Sequence, residues 1–233
     1  NNLMEEICGA RLTYNYIRIG GVGYDILPET CTRVTAFLDH FEPIVDEFNR
    51  LLSGNKIFIE RLAGVAVVSK EDAFSYNLVG PNLRGSGVKW DIRRDIPYSI
   101  YPELEFEVPI GTAHVGVLGD SFDRYWVRIR EMQESCKIVR QCLSMMPKGP
   151  AIAKVPRKFR PPAGECYARV EAPRGDMGFY VVSDGSEYPY RVRIRTGSYT
   201  AMGIIDKMSK GIMVADLIAL IGSLDVDAPE IDR

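Results

Sequence analysis

Gly119-Asp-Ser-Phe-Asp-Arg-Tyr-Trp-Val-Arg-Ile-Arg-Glu-Met-Gln-Glu-Ser-Cys-Lys-Ile-Val-Arg-Gln-Cys-Leu-Ser-Met-Met146 decides the fold class. Its apolar residues fall at Phe122, Tyr125, Ile129, Met132, Cys136, Val139, Leu143 and Met146. The steps alternate between three and four, so they form one narrow stripe of a long helix, the pattern of bundle packing. Asp120 or Ser121 supplies an N-cap, and Pro147 with Gly149 stops the helix. Arg128, Arg130, Glu134 and Lys137 lie opposite the stripe and read as its polar face.

Upstream, Leu3, Ile7, Ala10, Tyr14 and Ile17 repeat every three or four residues, which predicts an opening helix ended by Gly20-Gly21. A second helix is expected from Thr30 or Thr32 to Gly54, with Pro43 kinking it or marking a restart. Ser69-x-x-Asp72 resembles a capping box and starts a short helix through Tyr76. Residues 80–111 hold four Gly and four Pro with little periodicity. Irregular segments of that length are usually functional or interface-forming when ordered.

Downstream, residues 147–164 are rich in Pro, Lys and Arg and read as a connector. Strands are expected at 165–171, 177–183 and 190–195, the last alternating polar and apolar in Arg191-Val-Arg-Ile-Arg195. Ala172-Pro-Arg-Gly-Asp176 and Asp184-Gly-Ser-Glu-Tyr-Pro189 are the turns of an antiparallel meander. Short helices follow near 199–209 and 213–221; Gly222 ends the second, and an acidic tail closes the chain. The fold class is α+β, mainly helical. Residues 1–146 form a helical bundle portion that includes the irregular 80–111 loop, and 147–164 connect it to a meander and C-terminal helices (165–233) of the same domain.

The chain has 233 residues, 46% hydrophobic and 26% charged, with formal net charge −2. That balance offers no electrostatic reason for a nucleic-acid partner. No stretch approaches the ~18 apolar residues of a membrane span; the longest run, Ile212 to Ile221, is broken by Asp216. The chain opens at Asn1-Asn2 without a leader or an initiator Met, which reads as the C-terminal part of a longer polypeptide. Five cysteines at irregular spacing, with no C-x-x-C, read as reduced thiols rather than as a metal or cluster site.

The common catalytic templates are absent. His40 and His114 stand far apart and do not form a metal cluster. Gly119-Asp-Ser121 lacks the spacing of a nucleophile elbow. Gly85-Ser-Gly87 is not followed by the Gly-Lys-Ser/Thr of a phosphate loop, and no dinucleotide fingerprint occurs. Two constellations remain. In Glu171-Ala-Pro-Arg-Gly-Asp176 the turn residues would project Arg174, whose guanidinium can donate several directed hydrogen bonds to an anion or polar headgroup, or simply be solvated. In Gly222-Ser-Leu-Asp-Val-Asp-Ala-Pro-Glu-Ile-Asp-Arg233, four carboxylates and an arginine follow an apolar helix. They are either a frayed tail or, if Asp225 docks inward, a site where that carboxylate needs a cation or donors.

Several blocks, in order, resemble the quinone-site (49 kDa, or D-type) subunit of respiratory complex I, a relative of nickel–iron hydrogenase large subunits. Gly9-Ala-Arg-Leu-Thr-Tyr-Asn-Tyr-Ile-Arg-Ile-Gly-Gly-Val22 is similar to its GAR-x-x-x-x-Y-x-R-x-GGV segment. Gly80-Pro-Asn-Leu-Arg-Gly-Ser-Gly-Val-Lys-Trp-Asp-Ile-Arg93, with Pro97-Tyr98 and Tyr101, is similar to GP-x-LRGSG-x-x-WD-x-R…PY-x-x-Y. Gly119-Asp-Ser-Phe-Asp-Arg-Tyr125 with Glu131-Met132 is similar to GD-x-x-DRY…EM. Tyr180-Val-Val-Ser-Asp-Gly185, Pro189-Tyr-Arg191, Ala215-Asp216 and Gly222-Ser223…Asp225…Glu230…Asp232-Arg233 complete the set, which covers nearly the whole chain.

The resemblance implies a hydrogenase-large-subunit-like fold, incomplete at the N-terminus, where the family carries a His-bearing β-hairpin and a Tyr that hold the quinone headgroup. It implies a subunit of NADH:quinone oxidoreductase, a translocase, or of a relative fed by another donor. The cavity would be shared with the subunit that holds the terminal [4Fe–4S] cluster, next to the membrane-arm subunits. The place would be the peripheral arm, on the cytoplasmic face of a prokaryotic membrane or the matrix side in a mitochondrion. No cofactor would be bound by this chain alone. Arg174, Asp225, Glu230 and Arg233 would line the quinone pocket or stand one layer behind its lining; Arg84 and Arg93 would hold the irregular loop at subunit interfaces.

Two departures follow. Many family members carry His where this chain has Thr13, close to the cluster. With threonine there, a proton that titrates with cluster reduction has no place on that side chain; a pH-independent midpoint and a lower-potential cluster, of the kind that suits menaquinone, are the expectations. The family's Gly before the terminal Glu is here Pro229, which stiffens the backbone at the pocket edge. The competing reading is the large subunit of a membrane-bound nickel–iron hydrogenase, whose metal needs a C-x-x-C pair near the C-terminus. No Cys follows Cys166, and Asp225-Val-Asp stands where that pair would be. A structural half with no activity of its own is the remaining alternative.

Overall fold

The computed structural model describes residues 1–156 and 158–232. Helix α1 (Asn2–Cys8) leads to a minimal hairpin, β1 (Ile17–Arg18) and β2 (Gly21–Val22). Then come α2 (Pro28–Phe48), a π turn (Asn49–Ser53), α3 (Lys56–Leu62) and α4 (Lys70–Ser75). Short helices α5 (Gly80–Gly85) and α6 (Ile92–Asp95) and a 3₁₀ turn (Tyr101–Glu103) punctuate the irregular segment. The long α7 (Ser121–Ser144) precedes the meander β3 (Gly164–Ala172), β4 (Gly175–Ser183), β5 (Arg191–Arg195), antiparallel in the order β3-β4-β5. Helices α8 (Gly197–Gly203), α9 (Ile205–Met208), α10 (Val214–Leu224) and α11 (Ala228–Ile231) finish the chain. The architecture is mainly helical with a small antiparallel sheet near the C-terminus, as the residue pattern predicts.

Helix α7 begins where expected, Asp120 accepting the Asp123 N–H at 2.8 Å. Helix α4 likewise starts at Ser69, which accepts the Asp72 N–H at 3.0 Å. The core lies between α4, α5 and the C-terminal helices, where Ala73, Leu83, Ile204, Leu220 and Leu224 are almost wholly enclosed.

The bounds expected for the first two helices need correction. The opening helix ends at Cys8, not at Gly20, because Gly9 takes a left-handed φ of 76° and donates to the Glu5 carbonyl; a glycine that can enter αL outweighs three further turns of apolar spacing. Leu12 and Ile17 are exposed there, so that spacing has nothing to pack on. The second helix starts earlier, with Pro28 in its first turn, runs through Pro43, and changes hydrogen-bonding only at Asn49. The pattern did not reveal α3, whose signal is Asn55 accepting the N–H groups of Ile57 and Phe58. The connector is tied down: Val22 donates to the Ala151 carbonyl and Ala153 to that of Gly20, each at 2.9 Å.

Candidate functional site

The β3–β4 turn is a two-residue loop, Pro173-Arg174, closed by the Ala172–Gly175 pair. It is clamped by bare backbone. Gly80 and Gly175 have φ of +57° and +110°, and a Cβ on Gly80 would lie 2.5 Å from the Gly175 Cα. The turn thus seats directly on the start of α5, and Arg174 leaves it toward the C-terminal segment.

That segment is docked rather than frayed. Helix α10 ends at Asp225, held in the left-handed region (φ 52°, ψ 51°). Arg174 Nε donates to the Asp225 carbonyl at 2.7 Å. Its guanidinium lies 3.6 Å from the Asp225 carboxylate and 3.8 Å from that of Glu230. The Ser198 hydroxyl donates to the Glu230 carboxylate, and Thr196 Oγ1 donates to the Glu230 carbonyl at 2.9 Å. Pro229 sits in the first turn of α11. Arg174, Asp225 and Glu230 therefore meet in space; Arg233 lies outside the described residues.

Arg84 and Arg93 stand at the other end of the same wall. Arg84 is 1% exposed. Its Nε donates to Glu131 and its Nη1 to Glu171, both at 2.8 Å, and Nη1 also reaches the Trp90 carbonyl at 3.0 Å. Burial alone would lower its pKa, but Glu131, Glu171 and Asp91 more than offset that and raise it. Glu171 faces one guanidinium and the like charge of Asp91, so burial wins there and its carboxyl is pushed up. Arg93 grips Asp91 through two bonds, 2.9 and 2.6 Å, and lies over the rings of Phe106 and Tyr101. Burial opposes its charge, yet the Asp91 carboxylate raises its pKa.

Between these groups lies a cavity of about 520 Å³. Its apolar lining comes from Phe37, Leu38 and Phe41 of α2 and from Met132, Cys136 and Val139 of α7. Its charged lining comes from Arg84, Arg93, Arg128, Glu131, Glu171 and Asp225, and Pro173 also lines it. A cavity that combines apolar and charged side chains can hold an amphipathic molecule.

The periodicity misplaced part of α7. Met132 and Val139, expected to be enclosed by helix packing, are 37% and 36% exposed and line this cavity. Glu134, expected in solvent, is 5% exposed and accepts the Glu107 N–H at 2.9 Å. Arg128 turns inward against the C-terminal turn. The spacing identifies a face but cannot tell water from a second layer of protein. Arg124 and Arg128, four residues apart on the helix, were the available signal. Burial and the neighbouring Arg128 push Arg124 down to about 9, with Asp120 and Asp123 opposing. It stays charged at neutral pH and is held by the Gly119 and Ala66 carbonyls at 2.7 and 2.9 Å.

Thr13 lies in the exposed loop after α1, φ 52°, its hydroxyl donating to the Leu12 carbonyl at 2.8 Å. No residue of that loop lines the cavity. His40 is exposed, and His114 stacks on Trp126 at 4.4 Å. Among the described residues, no group of three or more His, Cys, Asp and Glu side chains is placed to hold a metal ion. Nor is any described helix long and apolar enough to cross a membrane.

Residues 1–161 and 153–233 match the family model for the respiratory-chain NADH dehydrogenase 49 Kd subunit. The chain is similar to a D-type subunit of the NADH-quinone oxidoreductase of Anaeromyxobacter dehalogenans, 59% identical over 233 residues, which are all of the chain and 62% of that protein. It is 56% identical over 236 residues to a D-type subunit of the same enzyme in Sorangium cellulosum, covering 100% of the chain and 61% of the relative. The D-type subunit of Bacillus cereus is 44% identical over 232 residues, 99% of the chain and 62% of the relative. The chain spans about six tenths of the length of these curated relatives.

Proposed function

The chain belongs to the respiratory-chain NADH dehydrogenase 49 Kd subunit family, and from that premise we propose that it is part of the quinone-binding subunit of a proton-pumping NADH:quinone oxidoreductase. It lines one wall of the quinone cavity, beside a partner subunit that carries the terminal [4Fe–4S] cluster, in the peripheral arm of a membrane complex. That cluster, held by the partner subunit, would supply the electrons. The quinone takes up two electrons and two protons to become quinol.

One observation supports this reading above the others: Asp225, which Arg174 holds together with Glu230, lines a cavity that combines apolar and charged side chains. The Phe37, Phe41 and Met132 side chains shed water and accept the ring and tail. The charged side chains orient the headgroup oxygens and hold charge as they become anionic. Thr13 carries no titrating proton, so a proton taken up on cluster reduction has no place on that side chain, and a pH-independent midpoint tests this.

The test is made in the assembled complex. Asp225→Asn raises the KM for a short-chain quinone about three- to tenfold, with rates normalised to NADH oxidation by an acceptor upstream of the cavity. The isolated chain turns over no quinone. A native KM in Asp225→Asn, or robust turnover by the chain alone, overturns the reading.

A further inference from the structure

Arg128, together with Arg124, whose Nε donates to the Ser223 hydroxyl at 3.1 Å, joins the long helix to the C-terminal turn. Nη1 donates to the Arg124 and Ser223 carbonyls, both at 2.8 Å. Nη2 donates to Asn82 Oδ1 at 3.1 Å and to the Leu224 carbonyl at 3.2 Å. Asn82 completes the clamp by donating its own Nδ2 to the Leu224 carbonyl at 2.9 Å. Four acceptors therefore fix the guanidinium plane. Only Nε is left over: it is buried, has no hydrogen-bond partner among the described residues, and stands 3.7 Å from Asp225 Oδ2.

The Asp225 carboxylate is the counterpart. It lies 3.7 Å from Arg128 and 3.6 Å from Arg174, on the cavity wall and 42% exposed. Both separations exceed hydrogen-bond length, so the two cations hold the carboxylate by charge while its lone pairs stay open to the cavity. The backbone below it is in the left-handed region, which aspartate enters more readily than most non-glycine residues. Arg128 binds the carbonyls of the two residues that precede Asp225.

We propose that Arg128 is a positioning residue of the quinone site: it locks the Ser223-Leu224-Asp225 turn and thereby aims the Asp225 carboxylate into the cavity. This rests on the reading of the cavity given above. A planar fork is required, because a lysine ammonium in its place keeps the charge but cannot bind the Ser223 and Leu224 carbonyls and Asn82 in one plane.

A double-mutant cycle in the assembled complex tests it, with KM and kcat for a short-chain quinone normalised to upstream NADH oxidation. Arg128→Lys is expected to raise KM about three- to tenfold with a smaller change in kcat, and Arg128→Lys with Asp225→Asn to match Asp225→Asn alone within about twofold. Effects that multiply in the double variant would mean that Arg128 acts by packing and not through Asp225, and would overturn the inference; so would a native KM in Arg128→Lys. If Asp225→Asn shifts KM while Arg128→Lys does not, the inference fails and the cavity reading stands. A native KM in Asp225→Asn removes both. Should Arg128→Lys fail to assemble, Asn82→Ala takes its place in the same cycle, since it removes one acceptor of the fork and one tie to Leu224.

Discussion

Arg174 donates its Nε–H to the backbone carbonyl of Asp225 at 2.7 Å, joining a hairpin tip to a residue 51 positions later. The bond uses main chain, so it fixes where the C-terminal segment runs whatever the charge on Asp225. Arg174→Met should loosen that segment first. Amide exchange over residues 225–231 is expected to speed up by at least tenfold, while exchange in the centre of α7 stays native. The loss in global stability should be small, about 1 kcal/mol, as for a partly exposed hydrogen bond. Native exchange across 225–231 would mean that Thr196, Ser198 and Arg128 hold the segment without it.

Arg84 behaves differently because it is enclosed. It faces three carboxylates, those of Glu131, Glu171 and Asp91, at 2.7, 2.8 and 3.4 Å. Arg84→Met removes the cation and leaves like charges buried together, a loss of ~3–5 kcal/mol on the scale of broken buried ion pairs. Glu171→Gln should cost clearly less, since two carboxylates still neutralise the guanidinium. The order of the urea midpoints, native above Glu171→Gln above Arg84→Met, checks this. Equal midpoints for the two variants would contradict it.

What the residue pattern made legible and what it hid have physical causes. Helix α7 was readable because Asp120 supplies a real cap and its stripe keeps an unbroken three-four rhythm. The Arg174 turn was readable because Pro and Gly leave the backbone few alternatives. The cavity was not readable: it needs α2, α7 and the β3–β4 turn to meet, and no local pattern encodes that meeting. Arg128 was hidden for the same cause, as three of its four acceptors, on Asn82, Ser223 and Leu224, are far away in sequence. Exposed Leu12 and Ile17 show the converse error, a helical spacing with no surface to pack on.

Acid stability follows from Glu134 and Asp91. Burial would raise both carboxyls, but Lys137 and the Glu107 N–H hold Glu134 below its usual 4.5, and Arg93 with Arg84 holds Asp91 below 3.8. A carboxyl lowered on folding stabilises the fold above its unfolded pKa and loses that contribution as pH falls through the folded value. Glu171, raised by burial, works in the opposite sense: its protonation relieves the fold, so its contribution falls as pH rises. Glu134→Gln keeps an acceptor for Glu107 but cannot titrate. As pH falls through the carboxylate range it should lose less stability than the native chain, read as a flatter acid limb in urea midpoints. An identical limb would show that Glu134 does not couple to folding.

The back-to-back glycines make the most stringent prediction. Gly80 N lies 2.4 Å from where a Gly175 Cβ would be, and a Cβ on Gly197 would lie 2.4 Å from the Arg174 carbonyl oxygen. Every close neighbour at Gly80 and Gly175 is backbone, which cannot rotate away as a side chain can. Both positions also have positive φ, so alanine adds conformational strain to the clash. Gly80→Ala and Gly175→Ala are each expected to lose more than ~2 kcal/mol, well beyond a typical surface change. The two losses should not add: once either methyl has pushed the turn off α5, the other meets open space. Gly211 is the control, since its φ is also positive, at 81°, but nothing lies within 4 Å of an added Cβ. Gly211→Ala should therefore show the strain alone, at about 1 kcal/mol. If all three variants lose the same amount, contact between the turn and α5 contributes nothing to placing Arg174.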